Sequence, residues 1–153
     1  MKRALFPGSF DPITNGHENI ISRAIPLFDE IVIGVGINSE KQYMFSIEER
    51  IKFIEKNFEN HSKIKVTPYK GLTIEYCKSI KAQFILRGLR SLSDFEYEKS
   101  IADINIELSG IDTVFLFTSP KTSFIRSSLV RELIRNNGNY KSLIPSSVNF
   151  SSK

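Results

Sequence analysis

Short apolar runs alternate along this chain with longer stretches in which apolar residues recur at three- and four-residue spacing. Segments 4–6, 31–37, 64–68, 84–86 and 113–117 read as strands. The second is the clearest, because Ile31-Val32-Ile33-Gly34-Val35-Gly36-Ile37 is almost entirely apolar and largely β-branched, as in a strand buried on both faces. Between these runs the helical period returns. Ile20, Ile21, Ala24 and Leu27 mark a helix over 18–27, and Ile47, Ile51, Ile54 and Phe58 mark a second. Ser46 and Glu49 have the spacing of a capping box that opens the second helix. Further helices are predicted over 73–81, over 94–108 with Ile101, Ile104 and Leu108 on one face, and over 129–136. The order βαβαβαβαβα predicts an α/β chain, a single Rossmann-like domain with a five-stranded parallel sheet flanked by helices and right-handed crossovers.

Composition narrows this picture without changing it. The 153 residues suit one domain, with a tail from about residue 147 expected to fray and Ser151-Ser152-Lys153 as its end. Apolar residues make up 41% and charged residues 25%, close to a typical soluble domain. A formal charge of +4 suits a phosphorylated small molecule and is neither concentrated in a run nor large enough to argue for nucleic acid, so no nucleic-acid partner is expected. Cys77 is the single cysteine, so no internal disulfide forms, and its place inside a helix suits a buried structural thiol rather than a nucleophile. The longest apolar run, 31–37, is far short of a membrane span, and the chain starts without an apolar leader. A cytoplasmic protein without a membrane partner is the expectation.

The chemistry concentrates after the first strand, at Pro7-Gly8-Ser9-Phe10-Asp11-Pro12-Ile13-Thr14-Asn15-Gly16-His17. A strand, a turn rich in Gly and Pro and a helix start present unpaired backbone N–H groups, which together suit an anion. His17, in the first helical turn, can donate to the same anion. Gly34-Val35-Gly36 lies within a strand and lacks a third glycine at Ser39, so it is not a dinucleotide fingerprint. Two arginines flank Gly88 where the fourth strand ends, at Arg87-Gly88-Leu89-Arg90, and guanidinium forks match phosphate oxygens. Here Gly88 is expected to let the backbone turn inward. A third cluster, 118–128, gathers hydroxyls before the last helix, where N-capping accounts for one serine but not for all.

Thr14-Asn15-Gly16-His17 after a strand resembles the T-x-G-H signature of the nucleotidyltransferase superfamily. The fuller stretch from Pro7 to His17 is similar to the P-G-[ST]-F-D-P-[IV]-T-x-G-H opening of the bacterial phosphopantetheine adenylyltransferase family. Met44-Phe45-Ser46-Ile47-Glu48-Glu49-Arg50 and the stretch from Arg87 through Asp94-Phe95-Glu96-Tyr97-Glu98 resemble two further motifs of that family. The resemblance implies reversible transfer of AMP from ATP to 4′-phosphopantetheine, giving dephospho-CoA and pyrophosphate. It implies His17 as the catalytic residue, and Ser9, Lys41, Thr73, Arg87 and Asn105 as contacts to the acceptor. Thr73 would serve equally as a plain N-cap.

For ATP, the resemblance implies Ser9, Phe10, His17, Gly88, Leu89, Arg90, Glu98 and the loop Thr122, Ser123, Phe124, Ile125, Arg126, Ser127 and Ser128. The loop departs from the family's S-F-I-S-S-S, because Arg126 replaces the first of three serines and Thr122 stands where an aromatic residue is frequent. An added cation at 126 either strengthens the triphosphate grip or displaces the loop. Magnesium is expected to arrive with ATP, since no carboxylate cluster suggests a dedicated cage. The family also implies a homo-hexamer and CoA as product or feedback ligand. Other superfamily enzymes, a glycerol-phosphate cytidylyltransferase or an NMN adenylyltransferase, are the rival enzymes, and an inactive nucleotide-binding regulatory module is the rival of another class.

Overall fold

The structure is a computed structural model that describes residues 1–150. Five strands, β1 (Arg3–Gly8), β2 (Glu30–Ile37), β3 (Ile64–Lys70), β4 (Phe84–Leu89) and β5 (Asp112–Phe117), form one sheet in the order β3-β2-β1-β4-β5. All neighbouring pairs are parallel. Helices α1 (Asn15–Ala24), α2 (Ile47–Asn57), α3 (Thr73–Ser79) and α4 (Leu92–Ser109) connect them, and α5 (Ser127–Arg135) follows β5. This is the expected single Rossmann-like α/β domain. None of the helices among the described residues is long and apolar enough to cross a membrane.

Successive residues of a strand face opposite sides of the sheet, and the core divides accordingly. Ala4, Phe6, Ile31, Ile33 and Val35 pack with α1, α2 and α5 through Ile20, Ile21, Ile54 and Val130. Leu5, Val32 and Ile85 face the other way, toward Cys77, Ala82 and Ile111. Burial raises the Cys77 thiol to about 11, so it remains protonated and inert at neutral pH.

The chain runs β1-β2-β3 outward on one side and returns through β4 and β5 on the other. A ligand crevice therefore belongs between β1 and β4, where the direction reverses. The register shows how it opens. Ala4 pairs with Phe84 and Leu5 with Ile85, but no further β1–β4 pair follows, although the strands continue to Gly8 and Leu89. Pro7 has no N–H to add to the ladder. The strand ends splay.

Several expectations change in the folded chain. β4 continues through Leu89, so Arg87 and Gly88 are strand residues rather than members of a turn. β3 likewise extends to Lys70. β5 lies at the sheet edge and is half-buried instead of fully buried, because a strand is on one side of it only. The apolar face of α4 noted in the sequence points outward, with Ile104 58% and Leu108 71% exposed. Thr73 is not a cap, since Leu72 holds the N-cap position and the Thr73 hydroxyl pairs with the Tyr69 hydroxyl at 3.0 Å. The tail expected to fray from about 147 packs through 150. Val148 is buried and the Phe150 ring lies 4.7 Å from Phe45 and 5.2 Å from Phe53. Residues 151–153, the expected frayed end, lie outside the described residues.

Candidate active site

The loop after β1 is shaped by aromatic packing. Phe10 adopts φ 49, a left-handed conformation that a phenylalanine takes only when its surroundings impose it. Its ring meets Phe6 at 5.6 Å and the His17 imidazole at 4.9 Å, both edge-on. Gly8 makes this possible, because a Cβ there would stand 3.0 Å from the Phe10 ring. Phe10 is thus the buried backing of the site.

Thr14 caps α1 with a complete capping box, and the reciprocal partner is His17 itself. The Thr14 backbone N–H donates to His17 Nδ1 at 3.1 Å. A backbone N–H can only donate, so Nδ1 must offer its lone pair and the imidazole proton sits on Nε2. Burial, with Arg87 and then Arg90 nearby, lowers the His17 pKa to about 4. His17 is therefore a neutral ring with a fixed Nε2–H donor at physiological pH.

Two clefts meet beside it. The first, of about 510 Å³, is lined by Thr14, Gly16, His17, Arg87, Gly88, Arg90, Asp94, Glu98, Ile125, Arg126, Ser127, Ser128 and Arg131. The starts of α1 and α5 both open into it, so two sets of unpaired N–H groups and two positive helix ends face one space. No side chain caps α5: Arg126 occupies its N-cap position with an extended backbone. This corrects the expectation that a serine would cap it. Ser127 donates instead to the Pro12 carbonyl at 2.9 Å, fastening α5 to the β1–α1 loop. Four arginines border this cleft, against Asp94 and Glu98, so it suits a polyanion.

The second cleft, of about 420 Å³, is lined by Ser9, Gly36, Lys41, Tyr43, Tyr69, Thr73, Ile101 and Asn105 among others. Pro7, Gly8, Arg87 and Glu98 border both spaces. Arg87 lies across the splayed strand ends. Its Nη1 donates to the Pro7 carbonyl at 2.9 Å, while Nε and Nη2 donate to the Glu98 carboxylate at 2.8 and 2.5 Å. Next to it, Arg90 donates from Nε and from its backbone N–H to Asp94 Oδ2, each at 3.1 Å. Burial raises the Asp94 pKa, but the hydrogen bonds from Arg90 outweigh it and hold the carboxyl below its ordinary range.

Of the residues singled out from the sequence, His17, Gly88, Arg90, Ile125, Arg126, Ser127 and Ser128 come together in the first cleft. Ser9, Lys41, Thr73 and Asn105 gather in the second, and Arg87 and Glu98 lie between. The others are placed elsewhere. Phe10 and Leu89 are buried and border neither cleft. Thr122 and Ser123 turn their hydroxyls back to the Ser119 and Pro120 carbonyls, and the Phe124 ring is exposed outside both spaces. The exposed Arg126 side chain borders the first cleft, and its neighbour Ser127 is bonded to Pro12.

Three supporting residues escaped the sequence reading. Asp11, 3% exposed, accepts the Met44 and Phe45 N–H groups, each at 2.9 Å. Arg131 donates to the Asp11 carbonyl at 2.8 Å from one turn beyond Ser127. Arg50 is buried under Ser9 and Gly36. Only Arg131 had a local signal, its position on the same face of α5 as Ser127; the contacts of Asp11 and Arg50 span 14 to 41 residues.

Residues 5–133 match the cytidylyltransferase-like family. The chain is 60% identical over 148 residues to a phosphopantetheine adenylyltransferase of Flavobacterium johnsoniae, covering 97% of each chain. It is 56% identical to the enzyme of that name from Flavobacterium psychrophilum, covering 97% of this chain and 98% of that one. Among solved structures, a bifunctional NMN adenylyltransferase/ADP ribose pyrophosphatase from Francisella tularensis superimposes with TM-score 0.68 at 16% identity, over 97% of this chain and 46% of that one. At that identity the likeness concerns the fold.

Proposed function

The chain belongs to the phosphopantetheine adenylyltransferase family, and on that basis we propose that its two clefts are the two substrate compartments of one in-line adenylyl transfer. The reaction moves AMP from ATP to 4′-phosphopantetheine, reversibly, and yields dephospho-CoA and pyrophosphate in coenzyme A biosynthesis. The observation that carries the assignment of clefts is their shared wall. Arg87 and Glu98 border both, so reactants bound on either side would meet there.

The ATP phosphates would lie in the first cleft, between the starts of α1 and α5, with Arg90, Arg126, Ser127 and Ser128 around them. The acceptor would lie in the second, its phosphate toward Ser9, Lys41 and Arg87 and its pantetheine arm toward Thr73 and Asn105. A phosphate oxygen of the acceptor attacks the α-phosphorus, the bond to the bridging oxygen breaks, and pyrophosphate leaves. The attacking oxygen is already anionic, so no side chain needs to serve as a base. Catalysis is positioning and charge stabilisation. His17 fits this task, because its Nε2–H can donate to an α-phosphate oxygen as negative charge develops.

Magnesium would enter bound to ATP. Among the described residues no three His, Cys, Asp or Glu side chains converge into a cation cage, so the phosphates would supply most of its oxygens. Assembly as a homo-hexamer is part of the same reading, supported by the exposed Ile104 and Leu108 on α4, which a partner would cover. CoA, which shares the pantetheine arm with the acceptor, would occupy the second cleft as a feedback ligand. A cytoplasmic location completes the reading.

The test is pyrophosphate release from ATP and magnesium, with and without 4′-phosphopantetheine, with CTP plus glycerol-3-phosphate as a control. Release that requires ATP and phosphopantetheine together is expected. ATP binding without turnover would point to a regulatory module instead.

A further inference from the structure

Arg50 has no role in the chemistry described above, yet it is the largest of the fully buried side chains, at 2% exposure. Its Nη1 donates to the Ser9 carbonyl at 2.7 Å and to the Gly36 carbonyl at 3.2 Å. Ser9 follows β1 and Gly36 lies near the end of β2, so one guanidinium ties together the two strand ends that wall the second cleft. The guanidinium carbon lies 3.9 Å from the centre of the Tyr43 ring. The Tyr43 hydroxyl in turn accepts the Asn38 N–H at 3.1 Å and donates to the Gly36 carbonyl at 3.5 Å. Residues 38–43 are the loop that carries Lys41.

This arrangement is unusual in its charge. Among the described residues no carboxylate forms an ion pair with Arg50, and its Nε is buried without a hydrogen-bond partner. A guanidinium stays protonated, and although Tyr43, Asp11 and Glu48 favour its charge, the burial outweighs them and is costly. An apolar side chain of similar size would fill the space more cheaply. Asp11 and Glu48 offset only part of that cost, so a cation retained there gains further from an anion arriving in the second cleft.

We propose that Arg50 is a positioning residue for the phosphate of the acceptor. It holds the Ser9 backbone, orders the Lys41 loop through Tyr43, and provides a buried positive charge behind the phosphate site. The inference rests on the second cleft being the acceptor compartment. The planar fork matters as well as the charge, because it spans two carbonyls and stacks on Tyr43 at the same time.

The test compares the affinity of the protein for 4′-phosphopantetheine with that for pantetheine, by calorimetry, in wild type, Arg50→Met, Arg50→Lys and Tyr43→Leu. The wild type should prefer the phosphorylated ligand. Arg50→Met should lower that preference about tenfold, with ATP affinity within about twofold of wild type. Arg50→Lys, which keeps the charge and loses the stack, should fall between, and Tyr43→Leu should resemble it. If Arg50→Met does not fold, the Lys and Leu variants decide the matter. A wild type indifferent to the phosphate would overturn the acceptor compartment itself. A wild-type preference that survives in the variants, or a loss shared equally with ATP, would overturn the role of Arg50.

Discussion

Gly88 of β4 lies directly under Ile20 of α1, so close that a Cβ on residue 88 would stand 3.0 Å from Ile20 Cγ1. Ile20 is buried and three residues beyond His17, so it cannot yield without moving the helix that carries the imidazole. The glycine between the two arginines is thus a packing residue, and the inward turn expected of it is absent. Gly88→Ala should cost about 1–3 kcal/mol of stability by overpacking. It should also lower kcat more than it raises the KM for ATP, because it displaces His17 from α-phosphate reach. Denaturant unfolding and steady-state kinetics on the one variant check both.

The burial of His17, with Arg87 and Arg90 nearby, gives a signed pH dependence. The imidazole pKa falls from an ordinary 6.5 to about 4 in the folded chain. Between these values the unfolded chain binds a proton that the folded one refuses, so stability declines as pH falls from 6.5 toward 4. It is unaffected by this group above 6.5. His17→Asn should remove that part of the acid sensitivity, measured as Tm against pH. An NMR titration of the free protein should show Nε2 protonated and Nδ1 bare down to about pH 5. The same variant should lose about 10²–10³ in kcat.

Arg126 stands at the N-cap of α5 without capping it. Arg126→Ser should therefore stabilise the helix by about 0.5–2 kcal/mol, since serine is a favourable cap. The cleft would lose one of its four bordering arginines, and KM for ATP should rise severalfold. Stability and nucleotide affinity moving in opposite directions is the signature to look for. A variant with tighter ATP binding would contradict the placement of the triphosphate beside this residue.

Phe150 closes the fold from the far end of the chain, against Phe45, Phe53 and Tyr140. Its ring is half-buried, so Phe150→Ala should cost about 1–2 kcal/mol, below the 3–5 of a fully buried phenylalanine. Because Phe45 also donates its N–H to Asp11, the variant should loosen the β1–α1 loop. Faster hydrogen exchange at the Phe45 amide would show it.

The amino-acid order alone determined the architecture. Five apolar runs separated by helical periods allow little besides a parallel sheet, and the capping box at Ser46 and Glu49 formed as its spacing required. The T-x-G-H loop, the arginine pair and the serine cluster were each visible because their residues are neighbours in sequence. What the tertiary structure decided involves residues far apart. The early end of β1–β4 pairing at Leu5 and Ile85 opens the crevice, and no local pattern encodes where two strands part. The charge under the second cleft depends on Arg50 reaching 41 residues back to Ser9. Even the exposure of the α4 apolar face follows from its place beside an edge strand rather than from its period. Local propensity is a property of a few consecutive residues, whereas burial and hydrogen-bond partnership at this site depend on which surfaces the sheet brings together.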